Sequence, residues 1–205
     1  LISKDEVNDL AILKGDFVPL DSFALATENP ELLQEIYVAG FPFGYSVSKS
    51  VKVTKGIISS LSGLGNNFSN LQIDAAIQPG NSGGPIIDKK GNLVGVAVSK
   101  LDLQQILEMH KVVPENVNFG IKSNTLNSLL VSNNVESSEP NYRTLKTSSL
   151  GKKITDATFF LSCYMTENTY KNTHLWYIFH VKSQVFCRFL ICTSAPGVPS
   201  IFLAR

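Results

Sequence analysis

Between Glu35 and Ile121 the apolar residues come in short β-favouring runs broken by turn signals, and this spacing constrains the fold more than any other feature. Ile36-Tyr37-Val38 runs into the turn Gly40-Phe41-Pro42-Phe43-Gly44. Val51, Val53 and Ile57-Ile58 form a second β-rich run, and Leu71-Gln72-Ile73-Asp74 alternates. Pro85-Ile86-Ile87-Asp88 and Asn92 to Ser99 read as strands joined across Lys89-Lys90-Gly91, and Val117 to Ile121 as a further strand. Many short strands with little helix between them predict an all-β barrel or sandwich rather than βαβ units. Asp9 to Lys14 adds a short buried strand, Asn29-Pro30-Glu31 one or two helical turns, and Leu101 to His110 a helical excursion. Ser123 is expected to cap an amphipathic helix carrying Leu126, Leu129 and Leu130.

Composition sets outer limits. A 43% hydrophobic and 17% charged chain of 205 residues can bury a core, which excludes disorder throughout. A net charge of +1 lacks the basic excess of a nucleic-acid binder, and the apolar runs are too short for a spanning helix. The averages hide a change near residue 150. Residues 1–150 carry a net −3, whereas residues 151–205 carry +4, ten of the 19 aromatics and all three cysteines, Cys163, Cys187 and Cys192. Three cysteines at these spacings match no zinc pattern. Residues 132–150 read as a polar linker, 153–165 allow one more strand through Thr158-Phe159-Phe160-Leu161-Ser162, and the aromatic, basic segment beyond Thr166 shows no period. Nucleic-acid or membrane binding by that segment has composition alone behind it.

The stretch with chemistry in it is Asp74-Ala75-Ala76-Ile77-Gln78-Pro79-Gly80-Asn81-Ser82-Gly83-Gly84-Pro85. A serine nucleophile needs a backbone bend, N–H groups aimed at the developing oxyanion, and a base. Gly80 and Gly83-Gly84 permit the bend, and the Gly80 and Ser82 amides would face one side of it. The bland reading of the same string is a glycine-rich turn with an exposed serine. Gly80-Asn81-Ser82-Gly83-Gly84 also matches the hydrolase nucleophile elbow, which would recruit Asp102 and His110. That elbow requires a helix after the serine, and Pro85-Ile86-Ile87 excludes one.

The run instead resembles the trypsin-like serine peptidases, and within them the HtrA/Deg branch. The resemblance is carried in order by Asp9 to Lys14, Val38-Ala39-Gly40-Phe41-Pro42, Thr54-Lys55-Gly56-Ile57-Ile58-Ser59, Asp74 to Pro85, Gly91-Asn92-Leu93-Val94-Gly95 and Asn118-Phe119-Gly120-Ile121. It implies a trypsin-like double β-barrel, all-β, with a short C-terminal helix. Residues 1–34 would be the end of the first barrel and the connection, 35–131 the whole second barrel, 132–150 a linker and 151–205 an unassigned tail. Ser82 matches the nucleophile, Asp9 the aspartate that orients the histidine, and Gly80, Asn81 and Ser82 the oxyanion hole. Ala76 and Ile77 would lie along the primary specificity pocket, and Val96, Ala97, Val98 and Ser99 would form the edge that pairs with extended substrate. Asp74 is expected to be a structural hydrogen-bonding carboxylate.

The resemblance implies a serine endopeptidase acting on extended or unfolded polypeptides, outside the cytoplasm (periplasmic in bacteria), with no metal or cofactor. A homo-oligomer is compatible with it, and a nucleic-acid partner or a membrane segment is not expected. It departs from the family in two ways. No histidine precedes Asp9: the three present are His110, read as a surface residue, and His174 and His180 in the unassigned tail. The 55 residues after the linker are also too few for a peptide-binding PDZ module. A chain beginning at Leu1 is expected to be a fragment lacking most of its first barrel, inactive alone. The alternative is a pseudoprotease that binds polypeptide without cutting it.

Overall fold

The computed structural model describes residues 1–14, 19–44, 49–98, 111, 116–160, 190–195 and 198–204. The Leu101–His110 excursion, Ser99, Asp102, His174, His180, Cys163 and Cys187 lie outside these residues.

Six strands close into a barrel in the order β3-β4-β5-β8-β7-β6: β3 (Glu35–Gly40), β4 (Lys52–Ser60), β5 (Asn70–Ile73), β6 (Pro85–Ile87), β7 (Leu93–Val98) and β8 (Asn118–Lys122). All pairings are antiparallel, and Tyr37 opposite Ile87 and Val38 opposite Ile86 seal the ring. Alternation explains the inside and the outside. Ile36, Val38, Ile58, Leu71, Ile73 and Ile86 form one buried cluster, which fills the barrel. Ala39, Ile87, Leu93, Val96 and Ile121 belong to a second cluster on the outer face. The architecture is the all-β barrel that the strand spacing predicts. The β6–β7 hairpin turns where expected: Asp88 carboxylate oxygen accepts the Lys90 and Asn92 N–H groups at 2.9 Å each, and Gly91 sits at φ +79°. Burial pushes the Asp88 carboxyl above its usual range against the pull of those N–H donors.

The outer cluster is completed from both sides. Helix α1 (Ser123–Ser132) packs on β7 and β8 through Leu126, Leu129 and Leu130. Strand β2 (Leu10–Lys14) contributes Leu10 and Ile12, and Phe23 and Leu25 follow. Helix α2 (Thr147–Ala157) covers them with Leu150, Ile154 and Ala157, one face of an amphipathic helix. Lys153 ties α2 down through Asp21 Oδ1 at 2.9 Å and Ser22 carbonyl oxygen at 2.6 Å, with its ammonium 5.9 Å from the Phe23 ring centre.

A second sheet, five strands wide, has the order β1-β2-β11-β10-β9: β1 (Ser3–Asp5) and β2 from the N-terminal part, β9 (Thr158–Phe159), β10 (Leu190–Ala195) and β11 (Val198–Ala204) from the C-terminal part. The segment without a sequence period therefore contributes a hairpin, and β11 pairs directly with β2.

Several local expectations change. Asn29-Pro30-Glu31 starts one tight turn and no helix: Gln34 N–H bonds Glu31 oxygen, Leu33 adopts φ +65°, and its N–H goes to Ile58 oxygen in β4. Ser123 is the first residue of α1, not its cap, because its hydroxyl faces Ala26 carbonyl oxygen at 3.5 Å. The stretch read as linker lies against the barrel. Asn141 N–H donates to Asn92 Oδ1 at 2.8 Å, Asn92 Nδ2 returns to Asn141 carbonyl oxygen at 2.7 Å, and Asn141 Nδ2 reaches Lys90 oxygen at 2.7 Å. Residues 153–157, allowed as strand, complete α2, and the strand shortens to Thr158–Phe159.

On the barrel exterior Glu35 accepts from Tyr37 Oη at 2.7 Å and pairs with Lys55 at 3.0 Å and Lys89 at 3.2 Å. The Tyr37 hydroxyl first, and then Lys55, hold the Glu35 carboxyl down from 4.5 to about 2, while the same bond raises the Tyr37 phenol. A depressed carboxyl stabilises the fold above its unfolded value and loses that contribution as pH falls from 4.5 towards 2. An NMR titration of Glu35 should place its midpoint near the lower figure, and Lys55→Ala should move the midpoint upwards. Asn92→Ala should cost about 1–3 kcal/mol in thermal unfolding, since it removes both side-chain bonds to the backbone of Asn141. Tyr142→Ala, next along the chain but 68% exposed, should leave the melting temperature unchanged.

Candidate active site

The loop from Asp74 to Gly84 joins β5 to β6 and is laid on the end of β3 and the turn after it. Asp74 starts it as the sequence predicts: its Oδ1 accepts Ile57 N–H at 2.6 Å, and its own N–H bonds Ile57 oxygen. Phe41 N–H then donates to Gly80 oxygen at 3.2 Å and Phe43 N–H to Pro79 oxygen at 2.8 Å. Gly83 N–H donates to Ala97 oxygen at 2.7 Å, and Ala97 N–H to Gly84 oxygen at 2.8 Å. Four backbone bonds thus hold the loop between the β3 turn and β7.

Side chains are absent where the backbones meet. Gly80 has φ +107°, and a Cβ there would lie 2.6 Å from Phe41 oxygen and 2.9 Å from Phe43 nitrogen. A Cβ on Gly84 would run into Ala39 oxygen. These glycines are required by contact as well as by conformation.

Ser82 is fully buried, and its Oγ has no hydrogen-bond partner. Asn81 is 3% exposed, and its Oδ1 is likewise buried without a partner, pressed against Gly40. An exposed serine on a turn is therefore excluded. Two enclosed polar atoms left without partners carry a desolvation cost, a pattern that reactive sites share. The Asn81 N–H, expected in the oxyanion hole, is donated to Gln78 oxygen at 2.9 Å.

The other predicted residues separate into groups. Asp9 is half-buried at the entry to β2, in the left-handed region at φ +56°, which aspartate tolerates. The turn before it is built by Asp5, whose carboxylate accepts the Val7 and Asn8 N–H groups and Asn8 Nδ2. No hydrogen bond joins Asp9 to Ser82 Oγ. Ala76 is exposed and its carbonyl accepts Thr54 Oγ1 at 2.9 Å, whereas Ile77 turns into the barrel core. Val96 and Ala97 do not form a free edge. Val96 pairs with Pro85 on one side and Ile121 on the other, and Ala97 spends its N–H and carbonyl on the Ser82 loop while facing Gly120. Val98 pairs with Phe119, the β6 ladder stops short of it, and Ser99 lies outside the described residues.

All three histidines also lie outside the described residues, so the described site contains no imidazole base. Among the described residues there is no cluster of His, Cys, Asp and Glu suited to a metal. A polar cavity of about 450 Å³ beside α1, lined by Asp5, Asn8, Asn124 and Ser128 among others, contains none of the predicted site residues. The missed part of the site is the Phe41–Gly44 turn. The sequence marks Phe41 and Pro42 as family-like but assigns them no role; the turn is the surface on which the Ser82 loop rests.

Gly80→Ala should therefore destabilise the protein by roughly 1–3 kcal/mol from overpacking, with positive-φ strain added. Gly151→Ala, in α2 with open space around it, should instead stabilise by about 1 kcal/mol. Denaturant unfolding of the two variants checks both signs.

Comparisons with known proteins converge on this geometry. The family model for the trypsin-like peptidase domain matches residues 1–96. An uncharacterized protein of Sinorhizobium fredii, y4bJ, is 39% identical over 134 residues, 64% of this chain and 21% of its own length. HtrA-like serine proteases of Staphylococcus epidermidis and Staphylococcus aureus are each 32% identical over 130 residues, 57% of this chain and 22% and 17% of theirs. The chain thus spans about a fifth of the length of these relatives. Beside the closed barrel and the glycine-bounded serine loop, these matches show that residues 1–96 carry trypsin-like peptidase domain sequence and that the chain is similar to the HtrA-like serine proteases.

Proposed function

We propose that this chain carries the nucleophile side of a serine endopeptidase that cleaves extended or unfolded polypeptides. The observation that carries the reading is Ser82, enclosed with an unpartnered hydroxyl on a loop that backbone bonds fix to the β3 turn and β7. In this reading Ser82 Oγ attacks the peptide carbonyl, and the Gly80 and Ser82 amides stabilise the oxyanion. The Asn81 amide would join them only after leaving Gln78 oxygen. A histidine not found before Asp9 in this sequence takes the Ser82 proton and passes it to the leaving amine, and Asp9 orients that histidine. Val98 and Ser99, beyond the β6 ladder, are the backbone positions left for pairing with substrate.

In this reading the 205-residue chain alone is close to inactive. Losing the histidine costs about as much as losing the whole triad, roughly 10⁶ in turnover. An oxyanion hole and binding by themselves leave only ~10³–10⁴ over water. The full burial of Ser82 favours a second reading, a non-catalytic module that binds polypeptide with the same cleft.

A fluorophore-labelled unfolded polypeptide separates the two. The 205-residue chain is expected to hydrolyse it at background rate. A longer protein that supplies a histidine loop before Asp9 is expected to cleave it, with Ser82→Ala returning the rate to background. Binding without cleavage in that longer protein, or cleavage that survives Ser82→Ala, would overturn the peptidase assignment.

A further inference from the structure

At the centre of the Ser82 loop, Ser82 Oγ and Asn81 Oδ1 make no hydrogen bond. Backbone bonds hold the loop, two to Ala97 in β7 and two to the turn Phe41–Gly44. That turn is closed by Gly44 N–H on Phe41 oxygen at 2.8 Å and donates the Phe41 and Phe43 N–H groups to Gly80 and Pro79. Against its other side stands Phe160. The Phe160 ring meets Phe41 edge to face, with centroids 5.7 Å apart and planes at 74°. Its Cε2 and Cζ lie 3.8 and 3.9 Å from the point where Gly44 would carry a Cβ, so a larger residue in the turn would touch the ring.

Phe160 does not belong to the matched domain sequence, which ends at residue 96. It follows β9, which packs against β3, at the end of α2, and α2 is anchored by Leu150, Ile154, Ala157 and the Lys153–Asp21 pair. A rigid helix thus delivers one aromatic ring to the underside of the turn that carries the candidate nucleophile.

We propose that Phe160 is a positioning residue for the Ser82 loop, acting through the Phe41–Gly44 turn, so that the segment after residue 146 controls the geometry of the nucleophile. The proposal rests on the reading of Ser82 as the nucleophile for its catalytic meaning, but the mechanical coupling is measurable without catalysis.

Amide hydrogen exchange on the 205-residue chain tests it. An aromatic pair of this geometry corresponds to about three- to tenfold in a local opening equilibrium. Phe160→Ala should accelerate exchange at the Phe41 and Phe43 amides by that factor and leave the amides of α1 unchanged. Phe160→Tyr, which keeps the ring, should restore protection. Phe160→Leu keeps apolar bulk without the ring edge and should fall between, which covers the case in which the alanine variant folds poorly. Unchanged exchange at Phe41 and Phe43, or equal acceleration throughout the barrel, would overturn the coupling whatever Ser82 does. In a histidine-supplied active form, Phe160→Ala should lower kcat several-fold with KM little changed, and Phe160→Tyr should recover it. If Ser82→Ala leaves hydrolysis intact, the nucleophile assignment fails while the exchange result still decides the coupling.

Discussion

The contact on which the site depends is a backbone-to-backbone approach, with the Ser82 loop lying directly on the end of β3 and its turn. Gly84 meets Ala39 oxygen and Gly80 meets Phe41 and Phe43 with no side chain between them. Such closeness lets hydrogen bonds from Phe41, Phe43 and Gly83 fix the loop through its backbone. It also makes the barrel the true frame of the site. The pairing of β3 with β6 that closes the barrel places β3 beside the strand into which the serine loop runs. Barrel closure and the geometry of the Ser82 loop are one constraint seen at two scales.

A second layer secures that frame from outside. The Asp88 turn, the Asn92–Asn141 exchange and α2 bring the chain back across the barrel after its last strand. Each buried polar group in this layer has a named partner, which is the usual condition for such networks to stabilise. Among the described residues, Ser82 Oγ and Asn81 Oδ1, together with Asn118 Oδ1 and Thr158 Oγ1, are the buried side-chain atoms that break the rule. Two of the four adjoin each other in the Ser82 loop, unsatisfied atoms within a largely satisfied scaffold.

The sequence was most legible where local pattern and tertiary context coincide. Ile36, Val38, Leu71 and Ile73 alternate because one face meets the barrel interior, so strands and core were readable together. Gly80 to Gly84 announced a bend through glycine alone. Legibility failed where a partner far along the chain decides the outcome. Leu150, Ile154 and Ala157 are spaced as a helical face, but the serines and lysines around them read as linker and strand until Phe23 supplies a surface. Ser123 carries the right side chain for a cap, and Ala26 draws it away. Val96 and Ala97 read as strand, which they are, but no period reveals whether a strand has one neighbour or two. The Phe41 turn was readable as a turn, but its packing against Phe160 was not, because an aromatic contact across 119 positions has no local signature.

The five-stranded sheet carries a consequence for synthesis. Strand β2 leaves the ribosome long before β11, its neighbour on one edge, with Leu10 opposite Ala204. At translation speeds of about 5–20 residues per second, that edge waits roughly ten to forty seconds for its mate. Throughout that interval the nascent chain presents unpaired N–H and C=O groups next to Leu10 and Ile12, a template that any other extended segment can occupy. A sheet woven from both halves of the chain has a high contact order, and its last strand pair forms late and slowly. The barrel from Glu35 to Lys122, whose neighbours lie near one another in sequence, is free to form first, so newly made molecules should pass through a stage with a finished serine loop and an unfinished second sheet.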